Sequence, residues 1–139
     1  MDHQQTLVYC SQIPLRWGDE DSMRHINNTL YFRYMEQARV EWLDSLDMPV
    51  RMDKLEGAVL AEASCRFLLP LTYPGVAECR VFAAPPGRTS LTTFYELRRV
   101  GEERLYASGM ARIVWVERAS GKPVPLPDQL RQWLNGKKP

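Results

Sequence analysis

The chain lacks the residue patterns of common metal, nucleotide and disulfide proteins. Its three cysteines, Cys10, Cys65 and Cys79, lie far apart without a CxxC pair or a histidine cluster, so neither a zinc site nor a disulfide framework is predicted. A glycine-rich loop of the nucleotide-binding kinds is also missing. We therefore expect no metal and no cofactor, and we interpret the cysteines as buried thiols in a reducing compartment.

Other absences limit the location and the partners. The first residues, MDHQQTLVYCSQIP, have neither a basic start nor an apolar run of signal-peptide length. No uncharged stretch approaches the roughly 20 residues needed to cross a bilayer. The formal net charge is only +1, which is too small for a protein that neutralises a polyanion. We expect a soluble, cytoplasmic protein with no membrane or nucleic-acid partner.

Hydrophobic periodicity predicts one strand, one long helix and four further strands in a single domain of residues 1–139. Ile13, Leu15 and Trp17 alternate with polar or proline positions and predict a half-buried edge strand over about residues 6–17. Apolar residues at three- and four-residue steps predict a long helix over about residues 28–46. The four later strand candidates lie within residues 58–71, 75–84, 88–100 and 103–118.

Turn residues complete the fold prediction. Proline and glycine at residues 73–75 and 85–87, and the sequence around Gly101, make short links that favour antiparallel neighbours. A last short helix is expected with Asp128 as its cap. The order of elements predicts an α+β fold in which a curved five-stranded antiparallel sheet surrounds a long central helix. Its unpaired sheet edges predict association with another copy.

Polar residues gather just before the long helix. The first turn of a helix leaves about four N–H groups unpaired, so Asn27 or Asn28 has a plain interpretation as a cap. Asp21 precedes the helix by seven residues, and the imidazole of His25 is a side chain that suits proton transfer near neutral pH. A carbonyl oxygen held against the free N–H groups would be polarised. We therefore expect Asp21 and His25 to meet an oxyanion site, the alternatives being a turn carboxylate and a structural histidine.

The neighbouring charges have structural interpretations. Asp19 and Glu20 are expected to be solvated. Glu36 has Arg33 and Arg39 three residues away on either side, and ion pairs with them are expected.

The segment RWGDEDSMRHINNTLYFRYMEQAR, residues 16–39, resembles the signature of hotdog-fold thioesterases of the 4-hydroxybenzoyl-CoA thioesterase type. Residues 21–31 are also similar to the D-x-x-x-H-V-N-N-x-x-Y stretch of plant acyl-ACP thioesterases. The resemblance implies a sheet wrapped around the long helix and dimers or tetramers with sites at the subunit interface. It also implies metal-independent hydrolysis of an acyl-CoA or acyl-ACP thioester.

The resemblance also implies roles for individual residues. Asp21 stands where the 4-hydroxybenzoyl-CoA enzymes carry their catalytic aspartate, and Asn28 where they use a backbone N–H to hold the thioester carbonyl. His25 matches the histidine of the plant enzymes, whereas Met23 replaces a functional asparagine of theirs. The catalytic set predicted here, Asp21, His25 and Asn28, thus combines features of two groups.

Four further residues are predicted to bind the substrate. Asn27 and Tyr31 belong to the shared motif. The segment PGRTSLTTFYELRRV resembles the family's glycine-led start of a strand that borders the pantetheine channel, which implies that Arg88 and Ser90 approach the pantetheine arm or a phosphate.

Two other functions fit the same residues. A hotdog dehydratase or hydratase would use His25 as the base and Glu36 as the acid on an acyl thioester. A non-catalytic acyl-thioester binding protein would keep the fold alone. The sequence favours a thioester hydrolase with Asp21 as general base or nucleophile, and it leaves the acyl chain and the thiol carrier open.

Overall fold

Within residues 5–48 and 55–136, which the computed structural model describes, the chain forms five strands and two α-helices. The strands are β1 (Thr6–Pro14), β2 (Glu56–Phe67), β3 (Val76–Ala83), β4 (Ser90–Arg99) and β5 (Ala107–Glu117). The helices are α1 (Asn28–Ser45) and α2 (Asp128–Asn135), and a 3-10 turn, Trp17–Asp19, precedes α1. The predicted α+β class and five-stranded antiparallel sheet are confirmed, and the main helix has 18 residues.

The strands form one sheet in the order β1-β3-β4-β5-β2, and every pair is antiparallel. The predicted links between β3 and β4 and between β4 and β5 do join neighbours. The link through residues 73–75 does not, because β2 pairs with β5 and β3 pairs with β1. Leu71 in this link is fully buried and its carbonyl accepts a hydrogen bond from the Ile26 N–H at 2.8 Å. The link is therefore anchored in the core instead of forming a hairpin.

Side-chain and backbone caps define both ends of α1. At the start, Asn27 Oδ1 accepts hydrogen bonds from the Thr29 N–H at 2.9 Å and from Thr29 Oγ1 at 2.7 Å. At the end, Asp47 has φ 58°, and the Met48 N–H donates to the Leu43 carbonyl at 3.0 Å. A left-handed residue just past the last turn is a common helix terminator. An N-cap side chain of this kind typically stabilises a protein by about 1 kcal/mol.

One side of α1 packs on the sheet. It buries Tyr31, Tyr34, Met35, Ala38, Trp42 and Leu43. Gly109 in β5 allows this close approach, because a Cβ at that position would collide with the sulfur of Met35. On the other side of the helix Phe32, Arg33 and Glu36 are exposed. The single chain therefore covers one side of α1.

The first strand is shorter than predicted. It ends at Pro14, and the Leu15 N–H donates to the Gly75 carbonyl at 2.8 Å. The alternation therefore stops after Leu15, which is buried. Trp17 lies in the 3-10 turn with 75% of its surface exposed, so its prediction as an inward-facing strand residue is wrong.

Two smaller predictions are also wrong. Cys79 is buried, but Cys10 is exposed and Cys65 is only half-buried. On β1 the neighbour of Cys10, Ser11, is the buried residue, so Cys10 lies on the opposite face of the strand. Asp128 is the first residue of α2, not its cap. The cap position is Pro127, which has no side-chain hydrogen bond to offer.

Candidate active site

A tight loop joins the 3-10 turn to α1. The Asp21 N–H donates to the His25 carbonyl at 2.8 Å, and the Arg24 N–H donates to the Asp21 carbonyl at 2.9 Å. Glu20 and Ile26 form an isolated β-bridge on either side of this turn, and Arg24 adopts the left-handed conformation with φ 61°. The loop therefore folds back and brings Asp21 next to His25 and to the start of α1.

The Asp21 carboxylate has one oxygen in use and one available. Its Oδ1 accepts from the Met23 N–H at 2.9 Å and from the His25 N–H at 3.4 Å. Its Oδ2 has no hydrogen-bond partner in the described ranges, and the same holds for the ring of His25. The loop thus orients the carboxylate through one oxygen and leaves the other for a substrate or a water molecule.

Asp19 and Glu20 tie the loop to the rest of the molecule. The Tyr34 hydroxyl donates to Asp19 Oδ2 at 3.2 Å, and the Tyr73 N–H donates to Glu20 Oε2 at 3.1 Å. Burial, together with the Asp19 carboxylate, raises the pKa of Tyr34, so that phenol remains a proton donor. The expectation that these two carboxylates are merely solvated is wrong, because both are half-buried anchors of the loop.

The loop and the helix start open into a cavity of about 320 Å³. It is lined by Asp21, His25, Ile26, Asn28, Tyr31, Phe67, Leu68, Leu69 and Pro70. Asn28 is the first residue of α1, and its backbone N–H has no acceptor in the part of the chain that the structure describes. The three residues predicted to be catalytic, with Tyr31, are therefore neighbours around one cavity.

Tyr31 forms one wall of this cavity. Its hydroxyl accepts from the Leu71 N–H at 3.0 Å, and its ring meets Phe67 edge-on with 5.1 Å between the centroids. Burial is the main cause that raises the pKa of Tyr31, and the charge of Asp21 adds to it. The protonated phenol holds the segment after β2 against the helix start.

The other predicted binding residues lie elsewhere. Asn27 uses its side chain to cap α1. Ser90 lies at the start of β4. The residue of β4 that is level with the cavity is Leu97, seven residues later, because Leu97 pairs with Ala107 and Ala107 pairs with Phe67 at the cavity. Seven strand residues span about 23 Å, so Ser90 and the preceding Arg88 do not reach this cavity within one chain.

Sequence reasoning missed the wall formed by residues 68–70. This segment reads as the end of an apolar run. The Tyr31 hydroxyl lies 3.5 Å from the Leu69 carbonyl, 38 positions along the chain, and neither spacing nor periodicity reveals such a contact.

Asp21 also borders a second, larger space. A groove of about 740 Å³ is lined by Trp17, Gly18, Glu20, Asp21, Ser22, Arg24, Thr72 and Tyr73. Asp21 is the residue that this groove shares with the cavity at the start of α1. The available carboxylate thus lies where two spaces meet.

The described residues contain neither a group of metal ligands nor a membrane-spanning helix. Within residues 5–48 and 55–136, no three His, Cys, Asp or Glu side chains are grouped so that they could hold a metal ion. No α-helix in those ranges combines the length and the apolar character that a membrane span requires.

Known proteins resemble the chain over most of its length. The model of the thioesterase-like superfamily matches residues 15–134. PA2801 of Pseudomonas aeruginosa, a candidate thioesterase of solved structure, is 34% identical with a TM-score of 0.88, covering 92% of this chain and 98% of that protein. YsmA of Bacillus subtilis, itself uncharacterised, is 25% identical over 126 residues, or 91% of this chain and 84% of YsmA. Slr0204 of Synechocystis, a 1,4-dihydroxy-2-naphthoyl-CoA thioesterase, is 16% identical, with a TM-score of 0.83 over 89% of this chain and 93% of Slr0204, and has the same fold.

Proposed function

The chain belongs to the thioesterase-like superfamily, and from that membership we propose that it hydrolyses an acyl thioester to a free acid and a thiol. The observation that carries the proposal is the cavity at the start of α1. Asp21, His25 and Asn28 line this one space, and within the described residues Asp21 has a carboxylate oxygen and Asn28 a backbone N–H without a hydrogen-bond partner.

The proposed chemistry follows from these groups. The thioester carbonyl oxygen accepts from the Asn28 N–H, and the positive end of the helix dipole favours the negative charge that develops there. Asp21 either takes a proton from the attacking water or attacks the carbonyl carbon itself, and His25 assists the proton transfer. The carbon–sulfur bond then breaks and the leaving thiolate takes up a proton. Where Asp21 itself has attacked, water then hydrolyses the anhydride between Asp21 and the acyl group and releases the free acid. One oxyanion donor is typically worth about 10²–10³ in turnover, and general base catalysis about 10²–10⁴.

The two spaces that meet at Asp21 suit the two arms of a thioester. The acyl group and the thiol carrier leave the carbonyl carbon in different directions. We assign the carrier arm to the groove beside Trp17 and Tyr73 and the carbonyl to the cavity at Asn28. Coenzyme A is the carrier that we propose, because Slr0204, which shares the fold, acts on a coenzyme A thioester.

The dehydratase alternative receives no support from the geometry. Its acid, Glu36, does not line the cavity that contains His25. Glu36 instead forms an ion pair with Arg33 at 3.5 Å on the exposed side of α1.

A steady-state assay of thiol release tests the proposed function. Purified protein is offered a panel of saturated acyl-CoAs and, in parallel, enoyl-CoAs. We expect free thiol to appear with saturated substrates and with multiple turnovers. Hydration of an enoyl-CoA without thiol release would show a hydratase, and binding without any turnover would show a non-catalytic binding protein.

We also propose that the protein is a homodimer, or a tetramer of paired dimers, and that β2 forms the dimer edge. β2 is an outer strand of the sheet, and its Val59 and Leu60 are exposed. Unpaired edges of this kind are usually covered by another chain. In such a dimer we assign Arg88 and Ser90 to the substrate held by the other copy, because they lie too far from the cavity of their own chain.

Light scattering at micromolar concentration should report at least twice the chain mass of 16.1 kDa. A lysine on an edge strand opposes strand pairing, so we expect Val59→Lys in β2 to shift the protein towards the monomer. Leu7→Lys on β1, the other edge, is the matched control, since Leu7 is similarly exposed. A persistent monomer with full activity would contradict the shared site.

A further inference from the structure

A cavity of about 350 Å³ lies between α1 and the sheet, and the reaction proposed above gives it no role. Most of its lining is apolar, from Leu30, Phe32 and Met35 of the helix to Leu60, Ala63 and Ala111 of the sheet. The charged side chains in it are Arg33, Glu36 and Arg39. An apolar space with a few fixed polar groups is typical of a small-molecule site.

A chain of hydrogen bonds fixes Arg39 in the wall of this cavity. Its Nη1 donates to the Tyr95 hydroxyl at 3.0 Å, and the Tyr95 and Thr93 hydroxyls lie 2.5 Å apart. Thr93 Oγ1 donates to the Ala111 carbonyl at 3.1 Å. Since Thr93 uses its proton there, Tyr95 must donate to Thr93 and accept from Arg39. Tyr95 and Thr93 are fully buried, so the guanidinium is held by two hydroxyls whose own hydrogen bonds are satisfied.

Arg39 has no carboxylate partner in the described residues. The ion pairs recorded there involve Arg33, Arg80, Arg98, Arg99 and Arg104. The expected pair between Arg39 and Glu36 is not formed, because Arg39 turns to Tyr95. A guanidinium carries five N–H donors, and the hydrogen bond to Tyr95 uses one of them.

A second arginine–tyrosine pair has a carboxylate partner, which Arg39 lacks within the described residues. Arg104 Nη2 donates to the Tyr106 hydroxyl at 2.8 Å, much as Arg39 does to Tyr95. In that pair Glu102 Oε1 lies 2.7 Å from Arg104 Nη2 and also accepts from the Tyr106 hydroxyl at 2.7 Å. At Arg39 no carboxylate of the described residues takes the equivalent place.

The remaining charges in the cavity do not oppose an anion. Glu36 is the carboxylate in its lining, and its charge is offset by Arg33 at 3.5 Å. The Glu36 side chain is 56% exposed, so solvent screens it further. The uncompensated charge is that of Arg39, and it is positive.

The cavity adjoins the proposed active site. The ring of Phe67 contacts Tyr31, which lines the active-site cavity, and Phe32, which lines the second one, with centroid distances of 5.1 and 6.5 Å. Asn28 and Arg39 are eleven residues apart on α1, which corresponds to about 16 Å along the helix. An acyl group about 16 Å long whose carbonyl lies at the Asn28 N–H, and which runs along α1 past Phe67, would end at Arg39.

We propose that this second cavity binds the distal end of the acyl group and that Arg39 receives a terminal carboxylate there. The preferred substrates are then thioesters whose acyl group has an apolar body and ends in a carboxylate. A planar guanidinium binds a carboxylate through two parallel hydrogen bonds, and a fixed one does so at a lower entropic cost. This inference rests on the proposed thioester hydrolysis.

The test compares two acyl-CoAs of equal chain length, one ending in a methyl group and one in a carboxylate. The wild-type protein should have the higher kcat/KM for the carboxylate-ended substrate. In Arg39→Gln this preference should fall by between about 10- and 100-fold, the range expected for a charge-assisted hydrogen bond. Arg39→Lys, which keeps the charge without the planar fork, should fall between the two. Arg104→Gln is the matched control and should keep the wild-type preference.

Equal losses on both substrates in Arg39→Gln would show a structural role and overturn the inference, as would the absence of any preference in the wild-type protein. Calorimetric binding of both thioesters to Asp21→Asn separates this inference from the proposed function. If the wild-type protein releases no thiol but Asp21→Asn still binds the carboxylate-ended thioester more tightly, only the proposed hydrolysis fails. If both thioesters are hydrolysed and bound alike, only the inference fails.

Discussion

Asp21→Asn is expected to lower the turnover of thioester hydrolysis by about 100-fold or more while the protein stays folded. Asparagine keeps an oxygen that can accept from the Met23 and His25 N–H groups, as Asp21 Oδ1 does. It loses the charge and the basicity of the second oxygen, which has no hydrogen-bond partner in the described residues. The measurements are kcat for thiol release and the free energy of unfolding of the same preparation.

Asp47→Asn is the matched control for this prediction. Asp47 is an exposed aspartate at the end of α1 with φ 58°, a conformation that asparagine also tolerates. We expect this variant to keep wild-type turnover. If a well-folded Asp21→Asn variant also hydrolysed thioesters at nearly the wild-type rate, Asp21 would be only a turn residue. Its loss would then change the stability alone, by about 1 kcal/mol.

The His25→Ala variant measures how much the imidazole contributes to turnover in comparison with Asp21. The ring lines the same cavity, and it has no hydrogen bond to the described residues that would fix it as a base. We therefore expect a smaller loss of turnover than for Asp21→Asn. A loss as large as that of Asp21→Asn would make His25 the principal base.

The sequence predicts those features that depend on neighbouring residues. The start of α1 at Asn28 follows from a cap and an apolar period, and the later strands follow from alternation. The meeting of Asp21, His25 and Asn28 follows from a seven-residue spacing that permits only a tight loop. Each of these is a local property, and local properties are what periodicity and capping report.

The features that the sequence does not predict join distant segments. β2 pairs with β5 across the sheet and not with β3, although a short link joins β2 to β3. Asp19 is held by Tyr34, fifteen residues away, and Arg39 by Tyr95, 56 residues away. The expected partner of Arg39 was Glu36, one helical turn away. Arg39 instead donates to the buried Tyr95 hydroxyl, a long-range contact that the spacing of charges along one helix does not report.

Asn28→Pro is expected to lower turnover by about 100- to 1,000-fold, the loss typical for one oxyanion donor. The substitution removes the backbone N–H of a residue that lines the cavity and puts a ring carbon in its place. The helix should survive, because proline is well accepted at the first helical position. The preceding Asn27 has φ −57° and ψ 135°, which is the extended conformation that a residue before proline prefers. The N–H that is lost makes no hydrogen bond within the described residues.

Asn28→Ala is the control, since it removes the side chain and keeps the N–H. The proposed mechanism uses only the backbone of this residue, so the alanine variant should retain most of the wild-type kcat, whereas the proline variant should not. Thermal unfolding of both variants checks that α1 still forms. A large loss of turnover in Asn28→Ala would give the role to the amide side chain. Full turnover in a folded Asn28→Pro variant would remove the helix N-terminus from the mechanism, and the thioester carbonyl would then have to be polarised by another group.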